Sequence, residues 1–339
     1  MQNLEKCIDK LLDKKTVQNI IVKVGQGNNV LCEIKKSAGQ RTLTDKTLFD
    51  MASVTKIVAT TSLTLIAIDR GLLSLSDHVD KFFATPKDKQ AITIQHLLTH
   101  TMGIGHKSLL GATSYDDIQN YILNIPLDIP IGNNVLYSCP AFILLGRILE
   151  KVFNDKLDTL FEKYVAHPLG MNLTTFLPHP KNDIVNSNLI ESEKGLVNDY
   201  NCRYLGGVCG NAGLFSNVED MTTYAKMLFS YGEPLFSKKI FDIATKNHTP
   251  NMAESRALGY LYVDERYSQT ATLFQKGSIG HCGHTGQSIF ACPKTKLYVI
   301  ILSDATISTL KKYGKENYEE VIGMRHDIHS AIKSDLYPS

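Results

Sequence analysis

The stretch Asp50-Met51-Ala52-Ser53-Val54-Thr55-Lys56 decides how the chain is interpreted, because it joins a reactive pair to a long apolar run. Ser53 and Lys56 are three residues apart, and the apolar run from Ile57 to Ile68 follows directly. Residues at this spacing share a helix face, so the lysine amine is expected beside the serine hydroxyl. A lysine whose pKa is lowered by desolvation can take the serine proton. The helix start also offers backbone N–H groups to a developing oxyanion.

The same spacing occurs twice more, at Ser308/Lys311 and at Ser330/Lys333. Ser308 leads into a polar stretch with no buried helix, and Ser330 lies late in an amphipathic segment, where such a pair is typical of a solvated face. Only Ser53 stands before an apolar helix. Ser53 is therefore the candidate nucleophile.

Composition places the chain among ordinary globular proteins. Its 339 residues include 43% hydrophobic and 21% charged residues, with 36 basic against 34 acidic side chains and a formal net charge of +2. This balance argues against nucleic acid or a membrane surface as a partner. No signal peptide or membrane-spanning run is recognised. Seven scattered cysteines without Cys-x-x-Cys pairs indicate reduced thiols, so we expect a cytoplasmic protein.

Strand-like runs lie at both ends of the chain, at 20–24, 30–34, 258–263, 287–292 and 297–302. Helical patterns occupy 1–15, 53–70, 94–100, 115–123, 141–153, 157–165, 218–229 and 318–332, and Ser216-Asn217-Val218-Glu219 has the pattern of a capping box. This order predicts an α/β plus all-α architecture. Residues 1–75 and 250–339 would form a discontinuous α/β domain and residues 76–249 a mainly helical one, with the active site in the cleft between them.

A second candidate patch is Tyr137-Ser138-Cys139-Pro140, just before the helix predicted at 141–153. Proline is favoured at a first helical position, which puts Cys139 near the N-cap and Tyr137 at the helix mouth. The positive end of the helix dipole favours a phenolate, so Tyr137 is a candidate proton acceptor. Packing of the ring under a loop is the alternative. The competing Tyr200-Asn201-Cys202 is expected to lack a following helix.

A third patch is His281-Cys282-Gly283-His284-Thr285-Gly286-Gln287. Its spacing is not that of a zinc site and it has no evident fourth ligand, so we expect no metal. As a strand edge it offers an imidazole, a hydroxyl and a glycine that permits close backbone approach. A structural imidazole is the alternative for His284, and a structural role, holding the loop after it, is expected for His100. The glycine-rich stretch 206–213 lacks a phosphate-loop pattern and predicts a tight turn beside the cleft.

Taken together and in this order, the three patches resemble the serine β-lactamase and penicillin-binding-protein family, closest to its class C β-lactamase and esterase branch. The resemblance spans roughly residues 20–305. It implies a β-lactamase/transpeptidase-like fold, an antiparallel sheet flanked by helices with a helical insertion domain. It implies no cofactor, and a small-molecule substrate with an ester, amide or lactam carbonyl.

Carried over to this chain, the resemblance makes Ser53 the nucleophile and Lys56 and Tyr137 its proton partners. His284, Thr285, Gly286 and Cys139 would contact the substrate, and the backbone N–H groups of Ser53 and Gln287 would form the oxyanion hole. Two positions depart from the family pattern, because Cys139 stands where asparagine is usual and His284 where lysine is common. His284 would then be positively charged only when the pH is below the pKa of its imidazole. The alternative function is a ligand-binding or penicillin-binding protein with little turnover. Nothing in the sequence indicates the oligomeric state.

Overall fold

The computed structural model describes residues 1–112, 114–188, 190–267, 269–306 and 319–338. Within these ranges the strands are β1 (Asn19–Gln26), β2 (Asn29–Ser37), β3 (Phe49–Asp50), β4 (Thr175–Phe176), β5 (Leu214–Ser216), β6 (Leu261–Tyr262), β7 (Ile279–Cys282), β8 (Ser288–Ala291) and β9 (Leu297–Ser303). The α-helices are α1 (Gln2–Asp13), α2 (Ser62–Asp69), α3 (Ile94–Leu98), α4 (Ile118–Asn124), α5 (Cys139–Phe153), α6 (Leu157–Phe161), α7 (His167–Leu169), α8 (Tyr200–Tyr204), α9 (Val218–Phe229), α10 (Lys238–Ala244) and α11 (Glu319–Leu336).

The main sheet is built from both ends of the chain. Its six strands run in the order β2-β1-β9-β8-β7-β6, and every neighbouring pair is antiparallel. The strands predicted at 20–24 and 30–34 are confirmed and form a hairpin, since β1 and β2 pair from Asn19/Ser37 to Gln26/Asn29. A second sheet has the order β3-β5-β4. The antiparallel sheet flanked by helices that was expected from the sequence is therefore present, while the domain boundaries at 75 and 250 stay a prediction.

The central strand β9 explains why the sheet has two cores. Successive strand residues point to opposite faces, and every residue of β9 is buried. Val299 and Ile301 join one hydrophobic cluster with helices α1 and α11, whereas Ile300 and Leu302 join the larger cluster with the helices of the insertion. A continuous apolar run is what a strand covered on both faces requires.

The segment after Ser53 is the buried helix that the sequence predicts, but its geometry changes along its length. It begins as a 3₁₀ turn (Ala52–Val54), continues as a π-helical segment (Lys56–Thr61) and becomes regular in α2. By length and composition Ala52–Asp69 is apolar enough to cross a membrane, yet 83% of it is buried inside the protein. The segment therefore serves as a core helix of the fold. A π-helical insertion of this kind often accompanies functional sites.

Several local predictions are wrong. Strand β7 was not predicted, and the run at 258–263 forms only the two-residue strand β6. Tyr200 does begin a helix, because the Asp199 side chain accepts the Cys202 N–H and caps α8. Helix α9 has no capping box at Ser216, which ends β5. The cap is Asn217, whose side chain accepts the Asp220 N–H.

The other Ser-x-x-Lys pairs are placed as follows. Ser330 is exposed on α11, in agreement with the interpretation of a solvated helix face. Ser308 and Lys311 lie outside the described residues.

Candidate active site

The residue before Ser53 has an unusual backbone conformation. Ala52 has a φ of +44°, in the left-handed region that alanine rarely adopts. The buried carboxylate of Asp50 holds it there, because its Oδ1 accepts the Ala52 N–H at 2.8 Å while its Oδ2 accepts the Asn198 N–H at 2.6 Å. Burial raises the pKa of Asp50 to about 6, and these two N–H donors limit the rise. The structure thus holds Ser53 on a strained, braced turn.

Ser53 meets both of its predicted proton partners. Lys56 Nζ donates to Ser53 Oγ at 2.9 Å, and the Tyr137 hydroxyl donates to the same oxygen at 2.7 Å. Residues 84 positions apart in sequence are therefore in direct hydrogen-bond contact. This contact is the geometry that the spacing of Ser53 and Lys56 and the position of Tyr137 predicted.

Lys56 is fully buried and surrounded by acceptors. Besides Ser53, it donates to the Asn211 carbonyl at 2.9 Å and to Cys139 Sγ at 3.5 Å. Burial alone lowers the pKa of Lys56, but its electrostatic interactions with Cys139 and Tyr137 outweigh burial and leave this pKa above its ordinary value. The expectation that desolvation makes Lys56 a neutral base is therefore wrong. Lys56 rests as an ammonium ion.

Tyr137 stands at the mouth of α5, as expected, but the helix end differs in detail. Ser138 is the N-cap, since its hydroxyl accepts the Ala141 N–H at 3.2 Å, and Cys139 is the first helical residue. Burial raises the pKa of Tyr137 and the Lys56 ammonium only partly offsets the rise, so the resting side chain is a phenol. The helix dipole does not outweigh burial here. Proton transfer from Tyr137 therefore depends on its neighbours.

Cys139 carries a perturbed thiol in contact with the same lysine. Burial raises the pKa of Cys139, while the Lys56 ammonium and a side-chain hydrogen bond with His106 lower it more, so the net direction is downward. The same bond raises the pKa of His106. The position that usually carries an amide therefore holds a thiol that loses its proton more readily than an ordinary cysteine. That group stabilises the ammonium form of Lys56.

The third patch packs directly on the strand that leads to Ser53. Thr285 Oγ1 and Gln287 Nε2 each donate to the Asp50 carbonyl at 2.8 Å. Gly286 has a φ of +88°, and a Cβ on it would lie 2.1 Å from Ser303 Oγ, so only glycine fits. Thr285 is fully buried with its hydroxyl directed to the main chain. In this structure it braces the site and does not present that hydroxyl to the cleft.

The two histidines of this patch have separate partners. His284 Nε2 lies 2.6 Å from Asn198 Oδ1, and His281 Nδ1 lies 2.8 Å from the Cys282 carbonyl. Burial lowers the pKa of His284, which is neutral at pH 7. His284 therefore does not replace the positive charge of a lysine at neutral pH.

His100 has a structural role, although the segment it holds is 136–138 and not, as expected, the loop directly after it. Its carbonyl accepts the Leu136 N–H and its Nδ1 accepts the Ser138 N–H at 3.0 Å, while its ring lies 4.6 Å from that of Tyr137. It therefore fixes the segment that carries Tyr137.

Comparison with known proteins agrees with this geometry. The family model described as Beta-lactamase matches residues 4–320. The chain belongs to the beta-lactamase family. Membership of this family makes the protein a serine hydrolase, and a binding protein without turnover is not favoured.

Three relatives in and around the beta-lactamase family illustrate its range. An Escherichia coli (strain K12) protein, provisionally named a D-alanyl-D-alanine carboxypeptidase, is 28% identical over 306 residues, covering 77% of this chain and 70% of the relative. The octameric penicillin-binding protein homologue from Pyrococcus abyssi is 21% identical with a TM-score of 0.74, covering 93% of this chain and 78% of that one. EstCE1, a hydrolase with promiscuous acyltransferase activity, is 18% identical with a TM-score of 0.77, covering 97% and 98%. The two solved structures support the fold.

Sequence reasoning missed three groups at the site of this beta-lactamase-family protein. The Asn211 carbonyl holds Lys56, Asn198 holds His284, and His106 contacts Cys139. The glycine-rich stretch 206–213 had indicated a turn beside the cleft, and Asn211 lies in that turn. Asn198 and His106 lie in long loops whose course no local pattern determines.

Proposed function

We propose that Ser53 attacks the carbonyl carbon of an ester, amide or lactam and forms a covalent acyl-enzyme. The observation that carries this proposal is the pair of hydrogen bonds from Lys56 and Tyr137 to Ser53 Oγ, at 2.9 and 2.7 Å. A serine hydroxyl becomes nucleophilic when a positioned group removes its proton as it attacks. Both groups that could manage that proton touch the same oxygen.

Tyr137 is the group through which the proton moves. Lys56 remains an ammonium ion, so its charge favours the phenolate of Tyr137 without accepting the proton itself. In the reactive form, the phenolate takes the Ser53 proton as Oγ bonds to carbon, and Tyr137 then gives that proton to the departing oxygen or nitrogen. In deacylation the phenolate takes a proton from water, the hydroxide oxygen bonds to carbon, and Ser53 Oγ leaves and receives the proton.

The negative charge on the carbonyl oxygen needs donors close to Ser53. The backbone N–H groups of Ser53 and Gln287 suit this role, because the Gln287 side chain donates to the Asp50 carbonyl and keeps the two segments in contact. Each preorganised donor of this kind stabilises a transition state by about 3–4 kcal/mol.

A small ester or amide is the substrate we propose. The pocket offers no lysine at His284, so a substrate that depends on a strong carboxylate contact there gains less. A cytoplasmic location also supports a small metabolite, and we propose that location because all seven cysteines are free thiols in the structure. Fractionation of the producing cell tests it, and recovery of the protein outside the cytoplasmic fraction would contradict it.

The function is tested by a hydrolysis screen over p-nitrophenyl esters, β-lactams and D-alanyl dipeptides. We expect turnover of the esters that disappears in Ser53→Ala. The matched control is Ser330→Ala, which changes the serine of the same motif on an exposed helix and should keep full activity. Turnover that survives in Ser53→Ala would refute the proposal, and turnover of dipeptides alone would replace the proposed substrate class.

A further inference from the structure

Arg256 is the least explained charged side chain of the described structure. It is 3% exposed, and its Nη2 atom donates to a Glu254 carboxylate oxygen at 2.8 Å. Its Nε and Nη1 atoms are also buried and have no hydrogen-bond partner among the described residues. Buried N–H donors of an ion without acceptors cost free energy, so another group must compensate them.

The compensating group is the ring of Tyr137. The Arg256 guanidinium carbon lies over that ring, 5.6 Å from its centroid. A cation over an aromatic face is attracted by the ring's negative potential, and more strongly where water is excluded. A phenolate ring carries more negative charge than a phenol. The attraction to Arg256 therefore grows when Tyr137 loses its proton.

The two histidines beside Tyr137 do not supply a comparable charge. The ring of His100 lies 4.6 Å and that of His281 lies 6.2 Å from the Tyr137 ring. Burial, reinforced by the charge of Arg256, lowers the pKa of both histidines well below the ordinary value, so they are neutral. Lys56 is the second cation, with Nζ 5.1 Å from the Tyr137 ring centroid. Cys139 acts against both cations, because it raises the pKa of Tyr137.

The charges facing Arg256 itself are few. Glu254 is the anion that pairs with it, and the Glu254 side chain is 37% exposed, so solvent weakens that pairing. Tyr267 also lies within electrostatic range, and burial keeps its phenol protonated by raising its pKa well above the ordinary value. Arg256 therefore retains a net attraction for a negative charge on Tyr137.

We propose that Arg256 is a positioning residue that favours proton loss from Tyr137 through its contact with the tyrosine ring. This inference rests on the proposed role of Tyr137 as the proton acceptor of Ser53. It adds a residue outside the three sequence patches. Among the described residues no hydrogen bond links Arg256 to Ser53, and Arg256 acts through the tyrosine.

The test is the pH profile of kcat/KM for a p-nitrophenyl ester in four variants. Arg256→Met should move the limb that requires deprotonated Tyr137 upward by about one pH unit, about a tenfold loss below the limb. Arg256→Lys keeps the charge and should recover about half of that shift. Glu254→Gln removes the opposing anion and should move the limb downward. Arg70→Met is the matched control, because Arg70 lies 4.4 Å over the ring of Tyr164, away from the site.

If the limb of the Arg256→Met pH profile stays at the wild-type pH, the inference is overturned even if the rate falls. A purely structural loss would lower kcat without moving the profile. If Arg256→Met does not fold, Glu254→Gln decides, and a limb that stays or moves upward overturns the inference. Labelling of Ser53 by a fluorophosphonate in each variant separates the two proposals. If Ser53 of Arg256→Met is still labelled but the limb does not move, only the role of Arg256 is rejected. If Ser53 of the wild-type protein is not labelled, the proposed function itself is rejected.

Discussion

Removing the hydroxyl of Tyr137 is the sharpest perturbation of the proton path. Tyr137→Phe deletes the 2.7 Å hydrogen bond to Ser53 Oγ but keeps the ring and its contacts with His100 and Arg256. A positioned acid–base group contributes about 10²–10⁴ in rate. We therefore expect kcat/KM to fall by that factor, which raises the barrier by about 3–5 kcal/mol. The free energy of unfolding should fall by only about 1 kcal/mol, the value of one hydrogen bond.

The assay is ester hydrolysis together with denaturant unfolding of the same samples. Tyr224→Phe is the matched control, because the Tyr224 hydroxyl is buried and donates to the Ile57 carbonyl at 2.9 Å and not to Ser53. It should lose stability and keep kcat/KM within about threefold. A folded Tyr137→Phe enzyme with kcat/KM within about threefold of wild type would refute the reasoning.

Three further outcomes follow from the contacts. Alkylation of Cys139 with iodoacetamide should lower kcat/KM more than about tenfold, because the added group displaces the Lys56 ammonium. Mass spectrometry shows when the modification is stoichiometric, and full activity at that point would exclude this effect. Gly286→Ala should lower the free energy of unfolding by about 3 kcal/mol or more, because the new Cβ would clash with Ser303. Denaturant titration measures this loss, and a loss below about 1 kcal/mol would contradict the prediction. Burial lowers the pKa of His329 from 6.5 to about 4. Between these pH values the unfolded chain binds a proton at His329 more readily than the folded protein does. The free energy of unfolding should therefore fall as the pH drops from 6.5 to 4, by a total on the order of 3 kcal/mol. His329→Leu should flatten the stability profile there, and an unchanged acid slope would disprove the assignment.

The sequence predicted the fold where local patterns and packing agree. The apolar run of β9 had to be covered on both faces, and the hairpin of β1 and β2 carries its turn residues. The sequence also predicted the contact of Ser53 with Lys56. It failed at β7, where polar residues such as His281 and a following glycine hid a four-residue strand whose pairing with β8 is determined by tertiary contact.

The charge states at the site could not be predicted, because they depend on groups that are distant in sequence. The pKa of Lys56 rises only because Cys139 and Tyr137 come within range, against the effect of burial. Likewise, Asn198 engages His284 from 86 residues away. Residue types and spacing determined which groups meet at Ser53. The proton each one carries depends on the folded environment.

The central claim is that Ser53 forms a covalent bond to substrate, and mass spectrometry of a trapped adduct tests it most directly. The protein is incubated with a fluorophosphonate ester and digested, and the peptide that contains Ser53 is analysed. We expect a stoichiometric mass increase on that peptide. The increase should be absent in Ser53→Ala and present in Ser330→Ala. A folded protein that shows no adduct on Ser53 with fluorophosphonate, penicillin or activated ester would contradict it.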